Sequence, residues 1–219
     1  MPHRAGDRRS SGPYRATGRC PAYSGNVTPD RILTLGHGTL ATEEFLDLVR
    51  GAGVGRIVDV RSFPGSRRNP QFGREVMADW LTEAGLEYVW EKRLGGRRRG
   101  VGERSVHLGL RHPAFRSYAD WMETEEFRDG LSTLTESPVG LTAVMCSESL
   151  WWRCHRRLLA DHLVLVEELG VWHLMHDGSL REHPVTPEAR LVLPPESPTG
   201  TALVVYDGGA LPMPVTSPE

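Results

Sequence analysis

The chain has 219 residues, a formal net charge of −2 and 39% hydrophobic residues. These values allow one domain with tails or two small domains, and they exclude the strong positive charge of a general polyanion binder. No segment approaches the roughly 18–20 apolar residues of a membrane span.

The three cysteines, Cys20, Cys146 and Cys154, are too few and too irregularly spaced for a disulfide scaffold, which indicates a reducing compartment. The first twenty residues are rich in arginine but lack the apolar segment of a secretory signal. We therefore expect a cytoplasmic protein that does not bind a membrane.

Both ends of the chain differ in composition from the middle. Residues 1–29 are rich in Arg, Gly and Ser without apolar periodicity, which predicts a disordered tail. Residues 194–219 are rich in proline and predict a second tail, although "TALVVYDGG" is compatible with a short edge strand. A single α/β domain is expected over residues 30–193.

Short apolar segments alternate with helical patterns through that domain. The predicted strands are "RILTLG", "RIVDVRSF", "LEYVW", "GLTAVMC" and "VWHLM". The first predicted helix has Thr42 as its N-cap. The other predicted helices cover residues 73–84, 114–123, 125–135 and 155–169. In the second helix Val76, Trp80 and Leu81 are expected to face inward, and Gly170 should close the last helix.

This alternation predicts an α/β fold with a mostly parallel sheet of about five strands and helices on both faces. Such a three-layer fold would be Rossmann-like or flavodoxin-like. Ligands of these folds bind at the carboxyl ends of the strands. The residues after each predicted strand are therefore the candidates for a functional site.

Three strand ends carry small, basic and nucleophilic residues. Small residues admit close backbone approach, and arginines supply bidentate donors for carboxylate or phosphate. If the three strands are neighbours, these residues open on one crevice. The expected substrate-binding residues are Gly36, Asp59, Arg61, Ser66, Arg67 and Arg156, and the expected catalytic residues are Cys146, Glu148, His37 and His155.

Some of these residues also have a purely structural interpretation. Asp59 inside an apolar strand is typical of a buried carboxylate that holds a loop through amide bonds, and this interpretation is favoured. His37 could cap a helix or act in the site as a proton carrier. Arg61, so close to a core, needs Asp59, Glu148 or a bound anion as its partner.

Cys146 combines two possibilities. At the end of a buried strand, cysteine is often a small hydrophobic residue. A thiol facing a helix N-terminus and arginines should instead have a lowered pKa and act as a nucleophile, with Glu148 as acid, base or nucleophile. The seven-residue step to Arg153 is one longer than in the Cys-x5-Arg loop of cysteine phosphatases and rhodaneses.

A metal ion is not expected, although Cys146, Cys154, His155 and His37 leave it open. Adjacent residues rarely bind the same ion, and a clear fourth ligand is absent. Trp151 could stack on a ring of the ligand or cover the core; the same holds for Trp152.

The run "KRLGGRRRGVGER", residues 92–104, is called the arginine loop below. It is either a solvated loop or a lid over the site, and with Arg67, Arg68 and Arg74 it could form a positive rim.

The blocks "TLGHGTLATEEFLDLV", "VDVRSFPGSRRNPQF", "LEYVWEKRLGGRR", "FRSYADWMETEEF", "VMCSESLWWRCHRRLLADHL" and "HLMHDGSLREH" resemble, in order, those of the domain-of-unknown-function family 488. The resemblance covers roughly residues 31–184. The chain departs from the family pattern at Gly38, where serine is usual, and at Ser147, where alanine is usual. The resemblance supports the fold and the site and leaves the substrate open.

Taken together, the sequence predicts an enzyme of hydrolase or transferase type that acts on an anionic, nucleotide-like substrate without a cofactor. A redox enzyme is disfavoured because no Gly-x-Gly-x-x-Gly follows the first strand. One alternative is a nucleic-acid-binding module that uses the arginine loop and tail. Another is a metal or redox sensor built on Cys146 and Cys154.

Overall fold

The computed structural model describes residues 31–65, 67–100, 104–135, 140–193, 195–197 and 200–207. The predicted N-terminal tail and Ser66 lie outside these ranges. The elements in chain order are β1 (Arg31–Gly36), α1 (Thr42–Gly51), β2 (Val54–Asp59), α2 (Arg74–Glu83), β3 (Glu87–Trp90), α3 (Pro113–Met122), α4 (Glu125–Thr135), β4 (Leu141–Cys146), α5 (Arg156–Leu165), β5 (Gly170–Leu174), β6 (Leu180–Glu182), β7 (Arg190–Val192) and β8 (Leu203–Val205).

The main sheet has six strands in the order β3-β2-β4-β1-β5-β6. The five predicted strands are parallel to one another, and β6 is an antiparallel strand that pairs with β5. The predicted three-layer α/β class is confirmed. The strand order is neither the Rossmann order 3-2-1-4-5-6 nor the flavodoxin-like order 2-1-3-4-5, because β4 is inserted between β1 and β2.

Alternate residues of the strands pack against two helix layers, as the period of a strand requires. Ile32 and Val144 face α3, α4 and α5, in a core that includes Tyr118, Phe127 and Leu159. The intervening strand residues Leu33, Leu35, Ala143 and Met145 face α1 and α2, in a core with Phe45 and Met77. Burial on both faces explains why the strands read as continuous apolar runs.

Two details of the helices differ from expectation. In α2 the buried residues are Met77 and Leu81, whereas Val76 is 50% exposed, so the predicted inward position of Val76 is wrong. The spacing of four residues puts Met77 and Leu81 on one side, which leaves Val76 outside it. Helix α1 begins at Thr42, so the N-cap is Ala41 and not Thr42 as predicted. The Glu44 carboxylate accepts a hydrogen bond from the Ala41 amide at 2.7 Å.

Helix α5 is shorter than the predicted 155–169. It ends at Leu165, and the left-handed residue after it is Glu168, with φ of 55°. The Glu167 carboxylate lies 3.5 Å from Nε2 of His162 on α5. Gly170 does not close the helix but begins β5, because the chain has already reversed at Glu168.

Ordered packing continues into the segment predicted as a proline-rich tail. β8 pairs with β7 in a separate two-stranded antiparallel sheet, so the strand suggested by "TALVVYDGG" is present but does not extend the main sheet. Tyr206 is fully buried, and its hydroxyl donates to Oδ2 of Asp161 on α5 at 2.9 Å. The packed structure therefore includes residues beyond 193.

The connections place a crevice at the carboxyl ends of β1 and β4. Strands β1 and β4 are neighbours in the sheet. From β1 the chain crosses through α1 to β2, which lies beyond β4, and from β4 it crosses through α5 to β5, which lies beyond β1. Segments that leave two neighbouring strands in opposite directions open a gap where ligands bind in α/β sheets. None of the helices in the described ranges has the length and apolar character to cross a bilayer.

Candidate active site

A pocket of about 440 Å³ opens at this crevice. His37, Arg61, Cys146 and Glu148 all line it, as does His155. The predicted convergence of these residues is therefore present in the structure. Backbone hydrogen bonds continue past the strands, from the His37 amide to the Cys146 carbonyl at 2.9 Å, and they hold the two loops together.

Gly36 shapes the wall behind the pocket. A side chain here would meet the carbonyl of Glu148, so only glycine lets the loop after β4 cross the end of β1. Arg156 donates from its guanidinium to that same carbonyl. Arg156 is buried and does not line the pocket, so it holds the loop rather than reaching the pocket space as expected.

Asp59 and Arg61 form a buried ion pair. Asp59 is fully buried and accepts from the Arg61 amide at 3.0 Å, from its Nε at 2.8 Å and from the Tyr88 hydroxyl at 2.7 Å. Burial opposes the charge of Arg61, but the hydrogen bond and charge of Asp59 raise its pKa above the usual value. Asp59 therefore holds the loop after β2, as the favoured structural interpretation predicted, and it is absent from the pocket lining.

His37 is held as a neutral imidazole. Burial, followed by the positive charge of Arg61, lowers its pKa to about 4. Its Nδ1 donates to the Gly38 carbonyl at 3.0 Å, which leaves Nε2 to accept from Arg61 at 3.2 Å. The ring stacks on Phe72 at 4.1 Å. Both ring nitrogens are engaged, so His37 positions Arg61, and its expected role as a proton carrier stays a prediction.

The two cysteines lie beside each other at the base of the pocket. The Cys146 thiol hydrogen-bonds to Cys154, and this bond, with burial, raises the pKa of Cys146 to about 12. The same bond lowers the pKa of Cys154 to about 6 against the effect of burial, with help from the charge and amide of Arg156. The expectation of a lowered pKa at Cys146 is wrong, because the bond to Cys154 and burial both raise it.

His155 and Glu148 complete the polar interior. Nδ1 of His155 lies 3.4 Å from the Cys154 sulfur, and the half-buried ring packs edge-on against Tyr118 at 4.9 Å. Glu148 is exposed, and Oε1 accepts from the Leu150 amide at 3.2 Å. That bond occupies one oxygen, and the carboxylate still lines the pocket.

The exposed cations of the pocket are Arg97 and Arg153, which were not among the predicted site residues. Neither guanidinium pairs with a carboxylate of the described ranges, whereas Arg61 is neutralised by Asp59. Predicted Arg67 is exposed but outside the lining, and Arg74 lies over the Trp90 ring at 4.5 Å. The sequence signal was the clustering of Arg97 within the arginine loop.

The arginine loop forms one wall of the pocket through Gly96 and Arg97. The Arg97 amide donates to the Ser62 hydroxyl at 3.1 Å. Arg98 donates to the carbonyls of Gly95, Lys92 and Arg93 and stacks on Trp121 at 3.8 Å. These bonds fix residues 92–98 against the domain, so this part of the loop is packed rather than solvated.

Aromatic side chains occur in the pocket wall as well as beside it. Phe63, 67% exposed, and half-buried Phe115 line the pocket. Trp151 stacks on His173 at 4.0 Å and is absent from the lining, as is Trp152. Trp152 is 42% exposed. Of the two phenylalanines, Phe63 has Arg97 over its ring at 5.7 Å and Phe115 has Arg157 over its ring at 5.1 Å.

Comparison with protein-family models gives a match. A family model described as a domain of unknown function, DUF488, matches residues 41–163, more than half of the chain. The matched segment includes the loops after β2 and β4 and ends within α5. Searches of curated proteins and of solved structures give no significant match.

Proposed function

The chain belongs to the DUF488 family, and from that premise we propose that it is an enzyme of hydrolase or transferase type that acts on an anionic, nucleotide-like substrate. The observation that carries the proposal is the lining of one pocket by reactive and anion-binding groups. Cys146, Cys154, His155 and Glu148 lie within it, and Arg97 and Arg153 are exposed around them. Such a convergence in the crevice of an α/β sheet is the usual form of an active site.

The charge distribution supports an anionic substrate. Asp59 neutralises Arg61, so among the described lining residues the cations left for a ligand are Arg97 and Arg153, against the exposed carboxylate of Glu148. One guanidinium group can donate two parallel hydrogen bonds to two oxygens of a phosphate or carboxylate. These bonds orient the anion as well as neutralise its charge.

The size and walls of the pocket support a nucleotide-like molecule. A volume of about 440 Å³ lies within the range of small-ligand sites, roughly 300–1,000 Å³. Phe63 and Phe115 line the pocket, and each has an arginine over one face, so a planar base would meet the ring edge or the opposite face. In this arrangement the phosphate binds near Arg97 and Arg153, and Glu148 acts as the acid or base.

Binding of nucleoside monophosphates and of the matching uncharged nucleosides, measured by calorimetry, tests this proposal. Arg153→Gln should weaken the binding of the monophosphate about tenfold or more, since a charge-assisted hydrogen bond contributes roughly 1.5–3 kcal/mol. Arg67→Gln is the matched control, because Arg67 is exposed outside the pocket. Equal binding of nucleoside and monophosphate, or equal losses in the two variants, would contradict the proposal. Product analysis with Glu148→Gln, which should lose turnover but keep binding, then tests catalysis.

A nucleic-acid-binding module is the second candidate. The structure weakens the support for it, because Arg93 pairs with Glu91 and Arg98 is bound to backbone carbonyls. A steep fall of oligonucleotide affinity with salt would favour this candidate over a pocket that binds a mononucleotide.

A further inference from the structure

Three side chains at the base of the pocket bring metal-binding atoms together. The Cys146 sulfur, the Cys154 sulfur and a ring nitrogen of His155 all lie within 4.8 Å of one another. Cys146 ends β4, and the other two residues occupy the turn that begins α5. The rigid sheet and the helix N-terminus thus hold the three donors in a fixed relation.

We propose that Cys146, Cys154 and His155 bind a zinc ion whose fourth position opens into the pocket. Zinc bonds of about 2.3 Å to sulfur and 2.0–2.1 Å to nitrogen separate tetrahedral ligands by about 3.5–3.8 Å. Nδ1 of His155 lies 3.4 Å from the Cys154 sulfur, close to that separation. Two thiolates and an imidazole are donors that favour zinc over harder ions such as magnesium.

Two features of the sequence disfavoured a metal site: the candidate ligands Cys154 and His155 are adjacent, and a fourth ligand is absent. The structure removes both objections. Adjacent residues rarely bind one ion because their side chains diverge, but here the His155 ring turns back toward the Cys154 sulfur. Gly96 makes room for this orientation, since a side chain there would meet Nδ1 of His155. A fourth protein ligand is not required, because catalytic zinc sites keep one position for water or substrate.

The surroundings suit this ion. Two thiolates neutralise the double charge of zinc, and Arg156 hydrogen-bonds to the Cys154 sulfur from its amide and its side chain. Such hydrogen bonds around the ligands orient them and tune the ion. Both sulfurs are more than nine-tenths buried, which a ligand tolerates better than a nucleophile that must contact its substrate.

This inference rests on the proposed function only for the use of the open position, where an anionic oxygen of the substrate would bind. Zinc binding itself can be measured without any substrate. Reduced, chelator-treated full-length protein, titrated with zinc sulfate, should take up about one ion per chain. Cobalt should give the sulfur-to-metal charge-transfer band and the visible spectrum of a tetrahedral site.

Protection from alkylation tests the same site in the unaltered protein, so a folding defect cannot confuse the result. Zinc should protect Cys146 and Cys154 from iodoacetamide and leave the rate at Cys20 unchanged, as read by peptide mass spectrometry. Cys146 and Cys154 that alkylate at measurable rates without zinc, and equally fast with it, would overturn the proposal.

Variants locate the ligands. Cys154→Ser and His155→Ala should each lower zinc affinity more than about a hundredfold, beyond the 10–100-fold typical of losing a supporting residue. Cys20→Ser and His112→Ala are the matched controls, and an equal loss in them would refute the assignment. Arg153→Gln should keep zinc while losing the monophosphate. Zinc binding without any anion binding would contradict the proposed function alone, and anion binding without zinc would contradict the metal site alone.

Discussion

Replacing Asp59 by asparagine should destabilise the protein strongly, because it leaves the charge of Arg61 buried without the carboxylate that neutralises it. Asp59 is fully buried and Arg61 is 6% exposed, and their side chains approach to 2.6 Å. Breaking a buried pair by removing one partner costs about 3–5 kcal/mol. The variant should still fold, since a domain of this size has about 5–15 kcal/mol of stability.

Urea unfolding followed by circular dichroism measures this effect. With a slope of about 2 kcal/mol per molar, the midpoint should fall by about 2 M. Glu75→Gln is the matched control, because it breaks the exposed pair with Arg74 and should cost less than about 1 kcal/mol. A loss for Asp59→Asn as small as that of the control would refute the role given to the pair. Unchanged stability with lost monophosphate binding would return Asp59 to the list of substrate contacts.

Three further predictions concern pH, the C-terminal segment and the pocket wall. The pKa of His37 is lowered from 6.5 to about 4 in the folded protein, so between these pH values the unfolded chain binds more protons than the folded one. His37 should therefore lower the free energy of unfolding by about 2 kcal/mol when the pH falls from 7 to 5. In His37→Gln, the free energy of unfolding measured in urea should depend less steeply on pH. A slope that His112→Gln flattens equally would contradict this assignment. Tyr206→Phe should cost about 1.5–3 kcal/mol by urea unfolding, because its hydroxyl donates to the Asp161 carboxylate; no measurable loss would show that this contact does not stabilise the domain. Gly96→Ala should displace His155 and weaken zinc binding at least tenfold, as measured by competition with a zinc-binding dye. Gly51→Ala is the control and should not weaken it, because the space around Gly51 is open. Equal zinc affinity of the two variants would exclude the close packing of Gly96 on His155.

The sequence by itself determined the class of fold and the place of the candidate site. Apolar strands such as "ILTL" and "TAVM" are buried on both faces, and only a parallel sheet between helix layers buries them so. Because parallel strands end at one edge, His37, Arg61 and Cys146 could be assigned to one crevice before their contacts were known.

Only the tertiary structure decided what each side chain does there. The tertiary packing brings Cys146, at the end of β4, beside Cys154, so the pKa of Cys146 is raised and that of Cys154 is lowered. It also places Arg156 beneath the loop, whereas Arg97 and Arg153 reach the pocket. A pKa and the exposure of an arginine depend on neighbours distant in sequence, and residue order along the chain does not encode these distances.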